Sequence, residues 1–376
     1  MQERRPLIDD EVMRRLGLFF EKAAGLLRGA VRSGSPILIR FNNDADGVSG
    51  GLLISRALVR LGARPLDRQN NSALYAYGDA SVDINALRNI SEEKKPVIVI
   101  IDFGANEESV EALELLHSAG AAIVIIDHHP PARRAVELAD AFVSPWAVEG
   151  GNSNYTAGLL AGEVAGRLGE EEVVQLQLVS LIGDRSRLID QTAQPHELRR
   201  IAMVFDYISA DPRLPQTLEF YEQVLGNKRK TDSLLSQASA KMAKALELAR
   251  AHSRKRRLPN GIFLAVINLD KVLRPGEFPP KGKVVGTLHD ELVEREKGPV
   301  IAIGHGERII SIRANPEAVR AGFRASHVIA ELKEELTNAI ESGGGHDVAA
   351  SIRVNEGFGK LVLDELLRKI GELPRQ

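Results

Sequence analysis

Short runs of β-branched and aliphatic residues alternate, in the first half of the chain, with stretches whose apolar positions recur every three or four residues. Pro36-Ile37-Leu38-Ile39 is followed by a helical pattern over 48–61, and Val97-Ile98-Val99-Ile100-Ile101 by another over 107–118. A third run, Ala122-Ile123-Val124-Ile125-Ile126, comes next. Strands that are apolar without interruption, separated by helices, predict a parallel sheet covered by helices on both faces, because a strand loses its two-residue alternation only when both sides are buried. Further helices are predicted over 9–30, acidic at its start, and over about 155–168 and 172–183.

The pattern changes after 215. Residues 216–252 read as a long polar helix, with the basic clusters Lys228-Arg229-Lys230 and Arg254-Lys255-Arg256-Arg257 on either side of its later part, and Pro259-Asn260-Gly261 marks a turn. Strands are then predicted over 262–268, 300–303 and 308–313, and helices over 325–340 and 359–371. The fold class is α/β: a parallel-sheet domain over 1–215, a helical connector over 216–258 and a smaller α+β domain over 259–376. A length of 376 residues agrees with two cores.

Composition removes several classes of function. No apolar stretch approaches the roughly 20 residues that cross a bilayer, and the first residues lack a secretory leader, so a cytoplasmic protein without membrane contact is expected. The chain has no cysteine, which leaves oxygen and imidazole to hold any metal. A net charge of −2 excludes coating of nucleic acid by bulk positive charge but leaves room for a basic groove, along which the two basic clusters would track a phosphate backbone. The same clusters would equally suit solvated helix ends. With 5% aromatic residues, few side chains can stack on bases. Phe103 and Tyr155 are candidates for stacking and equally for the core.

Acidic residues follow the apolar runs: Asp44-Ala45-Asp46, Asp102, Asp127-His128-His129 and, after Leu181-Ile182-Gly183, Asp184. One such aspartate is ordinarily a helix N-cap. Gathered at the strand ends of a parallel sheet, where ligands bind, they would repel one another unless a cation neutralises them, and carboxylate with imidazole suits Mn2+ or Mg2+. Asp44-x-Asp46 lacks the threonine two residues on that a haloacid-dehalogenase-type phosphatase needs; Val48 stands there.

These motifs, in this order and spacing, resemble those of the DHH phosphoesterases: Asp44-Ala45-Asp46-Gly47, Asp102-Phe103-Gly104, Asp127-His128-His129 and Gly183-Asp184. Gly343-Gly344-Gly345-His346 is similar to the GGGH signature of the DHH-associated domain. Together they point to the RecJ-like exonuclease and oligoribonuclease branch. The resemblance implies two divalent metal ions, with Mn2+ the leading expectation and Mg2+ the alternative. Asp102 would bridge them, Asp44 would serve one ion, and Asp46, His128 and Asp184 the other. His129 would face the substrate phosphate, with Asp127 orienting the histidines, and the nucleophile would be a metal-activated water. Ser311, Arg313, Gly343, Gly344, Gly345 and His346 would bind substrate phosphate.

The implied function is hydrolysis of single-stranded DNA or RNA from an end. Alternatives are an oligoribonucleotide or cyclic-dinucleotide phosphodiesterase, a nucleoside-bisphosphate phosphatase, or a non-catalytic scaffold related to RecJ. Expected partners are single-stranded nucleic acid or short oligonucleotides and a replication or repair protein; polarity and oligomeric state are left open. One departure stands out: where the family commonly has histidine two or four residues before the first aspartate, this chain has Asn42 and Arg40.

Overall fold

The computed structural model describes residues 6–374 apart from positions 73 and 275. The chain divides into two compact units, Met1–Leu235 and Ser236–Gln376. The division falls inside the helix Lys228–Ala251. The helix Leu218–Leu225 belongs to the first unit, and Arg254–Arg257 is part of a strand in the second.

In the first unit, β1 (Ile37–Asn42), β2 (Leu66–Asn70), β3 (Val97–Ile101), β4 (Ala122–Ile126) and β5 (Ala141–Val143) form one sheet in the order β2-β1-β3-β4-β5. Every pairing is parallel. All residues of β3 and β4 are buried, which is why their sequences show no alternation. The strand order reverses its direction of growth between β1 and β3, and in such sheets this is where a crevice opens beyond the carboxyl ends. Asp44 and Asp102 follow those two strands.

One face of this sheet is covered by Tyr77–Ile90, Val110–Ser118 and Arg133–Leu138, around a core that includes Tyr75, Phe103, Ile100 and Leu113. The helix Ala45–Arg60 is buried along most of its length, and Ala157–Arg167 and Val174–Gly183 pack against it. Close approach depends on Gly158, where a Cβ would meet Ser180 Cβ at 2.6 Å and Asp46 Oδ1 at 3.0 Å. Phe103 is 1% exposed and in the core, and Tyr155 is buried with its hydroxyl donating to Asp10 Oδ2 at 2.7 Å, so neither offers a face to a base.

The second unit is built on a six-stranded sheet. Its strands are β6 (Ser253–Arg257), β7 (Phe263–Asn268), β8 (Val300–His305), β9 (Ile309–Ala314), β10 (Ile340–His346) and β11 (Ala349–Val354), in the order β10-β11-β9-β8-β7-β6. Only β7 and β8 pair in parallel. Lys281–Arg295 packs on one face through Val284, Val285, Leu288 and Leu292. Ala325–Glu335 and Gly359–Gly371 pack on the other. The cluster Arg254-Lys255-Arg256-Arg257 is therefore an exposed edge strand and not a helix end; charges there discourage pairing with another chain. The helix expected over 325–340 stops at Glu335, because Ile340 enters the core as the first residue of β10.

Candidate metal centre

Each aspartate arrives by a different local device. Asp44 is the N-cap of Ala45–Arg60: Oδ1 accepts from the backbone N–H of Asp46 and Gly47 at 3.0 and 3.1 Å. Its other oxygen, Oδ2, accepts from the amide of Asn42 at 2.8 Å. The capping role and a place in the cluster thus coexist in one side chain. Asp46, within the first turn of the same helix, is 1% exposed and accepts from the N–H of Ala157 (2.9 Å) and Gly158 (2.6 Å), free donors at the start of the helix Ala157–Arg167, and from Ser180 Oγ at 2.6 Å. Asp102 follows β3 with φ of 67°, a left-handed conformation uncommon for a residue with a side chain and found where surroundings enforce it. Asp184 ends the helix Val174–Gly183, not a strand. Arg185, immediately after it, also has positive φ, at 53°.

These elements converge on His128. Its Nδ1 lies 2.7 Å from the carbonyl oxygen of Ser153, and its Nε2 is 3.2 Å from Asp102 Oδ1, 3.3 Å from Asp184 Oδ2 and 3.7 Å from Asp46 Oδ2. The imidazole is held from behind as well, because Trp146 Nε1 and Ser153 Oγ both donate to the backbone carbonyl of His128, at 2.9 and 2.8 Å. His129 points differently: its Nδ1 is 2.8 Å from Asp127 Oδ1, and its side chain is 45% exposed. Asp127 also accepts from the His129 backbone N–H at 3.1 Å and from that of Ala105 at 3.3 Å.

The electrostatics follow from crowding. Burial pushes the Asp102 carboxyl well above the usual carboxylate range, and Asp46, Asp44 and Asp184 push the same way. Burial likewise raises Asp184 to about 7, with Asp46 and Asp44 adding to the rise and His128 opposing it. Burial works against a proton on His128, yet Asp184, Asp46 and Asp127 together hold it above its ordinary value. Burial would raise Asp127, but the imidazole of His129, which it accepts from, keeps it low. His129, in turn, is disfavoured as a cation by burial and raised to about 9 by Asp127.

A cation resolves this arrangement. Asp102 Oδ1 is buried, lies within 3.2 Å of an imidazole nitrogen and has no hydrogen-bond partner. His128 commits Nδ1 to a backbone carbonyl, the arrangement by which a ligating imidazole presents Nε2 to a metal. Two groups of side chains have ligand atoms close enough for one ion each, Asp46 with His128 and Asp184, and Asp102 with His128 and His129. The residues present fit a divalent ion.

The sequence reading missed Ser180, Ser153 and Trp146, which act on the cluster from separate loops and helices and carry no local motif. Arg40 and Asn42, which stand where the family commonly has histidine, part company in the fold. Arg40 is buried away from the cluster, bound to Asp83 at 3.0 and 3.1 Å. Asn42 lies within the cluster, donating to Asp44 and, at 3.1 Å, to Asp102 Oδ2.

Residues 36–180 match the model of the DHH family, N-terminal domain. The chain is 26% identical, over 97% of its length, to the uncharacterized protein MJ1198 of Methanocaldococcus jannaschii, of which it spans 55%, about half. Among solved structures it resembles the DHH domain of PF0399, described as a member of a family of ribosomal proteins, with a TM-score of 0.89 and 25% identity over 99% of this chain and 94% of that one. It shares its fold with RecJ of Thermus thermophilus in complex with Mn2+, with a TM-score of 0.63 and 17% identity over 95% of this chain and 55% of that one.

In the second unit, the tract Gly343–His346 is part of β10, paired with β11. Its glycines divide between the two faces. Gly344 pairs with Ser351, which pairs with Ser311, and His346 pairs with Ala349, which pairs with Arg313. In-register partners share a face, so Ser311, Arg313, Gly344 and His346 lie together. Gly344 and Ser351 are exposed there, while Ser311 is buried on β9. Gly343 and Gly345 pair with Ile352 and Ala350, both core residues, and so face the other way.

Among the described residues, no helix is long and apolar enough to cross a membrane.

Proposed function

We propose that the chain is a metal-dependent phosphodiesterase that removes nucleotides from the ends of single-stranded DNA or RNA. The observation that carries this reading is the unpartnered Oδ1 of Asp102 beside Nε2 of His128, with Asp46 and Asp184 closing around the same nitrogen. Asp102, His128, Asp184 and Asp46 would hold a divalent ion, Mn2+ or Mg2+. When bound, such an ion supplies Lewis acidity toward phosphoryl oxygens and a strong nucleophile at neutral pH. Asp46 is fixed by three donors, so it adds charge without having to be reordered. His129 would meet the phosphate and the leaving oxygen through Nε2, since Asp127 occupies Nδ1 and fixes the ring's orientation. The sheet face bearing Ser311, Arg313, Gly344 and His346 would bind further phosphates, with the Arg313 guanidinium suited to bidentate contact.

The test is incubation of purified protein and Mn2+ with end-labelled long oligonucleotides, dinucleotides and cyclic dinucleotides, each with an EDTA control. Metal-dependent loss of terminal nucleotides from the long substrates is expected. Cleavage of only the small substrates would move the reading to an oligonucleotide or cyclic-dinucleotide phosphodiesterase. No cleavage of any would overturn it in favour of a nucleic-acid-binding scaffold.

A further inference from the structure

The cluster has two unlike halves. On one side, Asp102 Oδ1 has no partner and faces His128 Nε2, with Asp184 and Asp46 at 3.3 and 3.7 Å from the same nitrogen. On the other side, Asp102 Oδ2 and Asp44 Oδ2 are joined by the Asn42 amide, whose Nδ2 is 3.1 Å from the first and 2.8 Å from the second. A carboxylate oxygen can only accept, so the amide must turn its NH2 toward the pair, and its two protons suffice for both oxygens. The remaining oxygen of Asp44 is spent on the backbone N–H of Asp46 and Gly47. For an ion to lie between Asp44 and Asp102, the chain would have to give up both amide bonds and rotate Asn42 to present its neutral oxygen, a poor exchange for a carboxylate or imidazole ligand.

We propose that this protein binds a single tightly held divalent ion, on the side of Asp102 Oδ1, His128, Asp184 and Asp46, and that Asn42 takes the place of a second ion by bridging Asp44 to Asp102 with its own N–H groups. The inference rests on the metal-dependent reading above and concerns how many ions the chain holds. Asn42 is a positioning residue here: it keeps Asp44 and Asp102 together without adding charge.

The experiment uses the full chain, stripped with EDTA and titrated with Mn2+ by calorimetry, with electron paramagnetic resonance on the loaded protein. One tight equivalent and the spectrum of an isolated Mn2+ are expected. Asn42→Asp, which replaces the neutral bridge with a third carboxylate, is expected to bind a second equivalent and give an exchange-coupled spectrum. His128→Ala is expected to lose the tight ion, with circular dichroism reporting whether the fold is kept. Two equivalents with a coupled spectrum in the wild-type chain would overturn the proposal, as would a folded Asn42→Asp that still binds one. The two readings fail separately: two coupled ions in a chain that cleaves oligonucleotides overturn only the single-ion inference, whereas one ion in a chain that cleaves nothing overturns only the phosphodiesterase.

Discussion

The carbonyl oxygen of Ser153 lies 2.7 Å from Nδ1 of His128, and this one contact decides which nitrogen of the ring faces the carboxylates. With Nδ1 donating, Nε2 presents a lone pair to Asp46, Asp102 and Asp184. Those oxygens and that nitrogen are all electron-rich, so the neutral ring is comfortable among them only when a cation or a proton stands between. Ser153 is on a loop far from His128 in sequence, and its Oγ donates to the His128 carbonyl as well, so one residue fixes both the backbone and the ring.

Asp102 is costly to the folded chain in the absence of metal, because its carboxyl is buried beside other carboxylates. Asp102→Asn removes the charge and keeps a residue type that tolerates the left-handed backbone at φ 67°. It is expected to melt at a higher temperature than wild type in EDTA and to lose the stabilisation that Mn2+ gives the wild-type protein. Asp102→Ala adds backbone strain of about 1–3 kcal/mol and should melt below the asparagine variant. Thermal melts of the three proteins with EDTA and with Mn2+ check the order; an alanine variant as stable as the asparagine one contradicts it.

Two glycines of β10 differ in the room around them. Gly345 has φ of 138°, and a Cβ there would meet Ala349 O and Ala350 Cα at 2.5 Å, so Gly345→Ala is expected to destabilise the hairpin by about 1–3 kcal/mol. A Cβ on Gly344 meets nothing within 4 Å. Gly344→Ala should therefore fold normally yet crowd the face shared with Ser311 and Arg313, weakening nucleotide binding with little change in melting temperature. Denaturation curves and nucleotide affinity, measured on both variants, distinguish the two effects.

Asp347 accepts hydrogen bonds from Ser326 Oγ and from Arg324 Nη1, the latter at 2.5 Å. Burial opposes its charge, but these two donors outweigh burial and hold its carboxyl below the ordinary value. A carboxylate whose folded pKa is lowered contributes stability above its unfolded value of about 4 and loses it as pH falls through the lower, folded value. Asp347→Asn is accordingly expected to be less stable than wild type near neutral pH by about 1 kcal/mol at most, given its partial exposure. The gap should close on acidification. Urea titrations of both proteins at about pH 7 and in steps below about pH 4 measure it; a gap that widens in acid refutes the assignment.

The parallel sheet was legible because β3 and β4 are buried on both faces, and burial on both faces leaves an unbroken apolar run whose β-branched residues and short length favour a strand. The less apolar β2, with sequence Leu66-Asp67-Arg68-Gln69-Asn70, was not legible: it is an edge strand, and its hydrogen bonds to β1 come from the backbone whatever its side chains are. The same limit applies to Gly343–His346. A glycine run carries no pattern of its own, and its strand conformation comes from pairing with Ala349–Val354. Asp184 was found by its residue type, and the helical pattern over about 172–183 that leads to it is the helix Val174–Gly183; what the sequence did not show is that this carboxylate comes from a helix end, whereas Asp44 and Asp102 follow strands.

Residue types alone determined which donor atoms could hold a metal. With no cysteine and with aspartates and paired histidines after apolar strands, any metal had to be held by oxygen and imidazole, because ligand preference is a property of the donor atom. The division of labour among those donors depended on folding. Asp44 spends one oxygen on a helix terminus, Asp46 is fixed by a helix distant in sequence, Ser153 selects the ring nitrogen of His128, and Asn42 bridges two carboxylates that follow different strands of the sheet. Hydrogen bonds and carboxylate repulsion act over a few ångströms, so which donors are spent and which remain for a metal is set by distances that exist only once the sheet has formed.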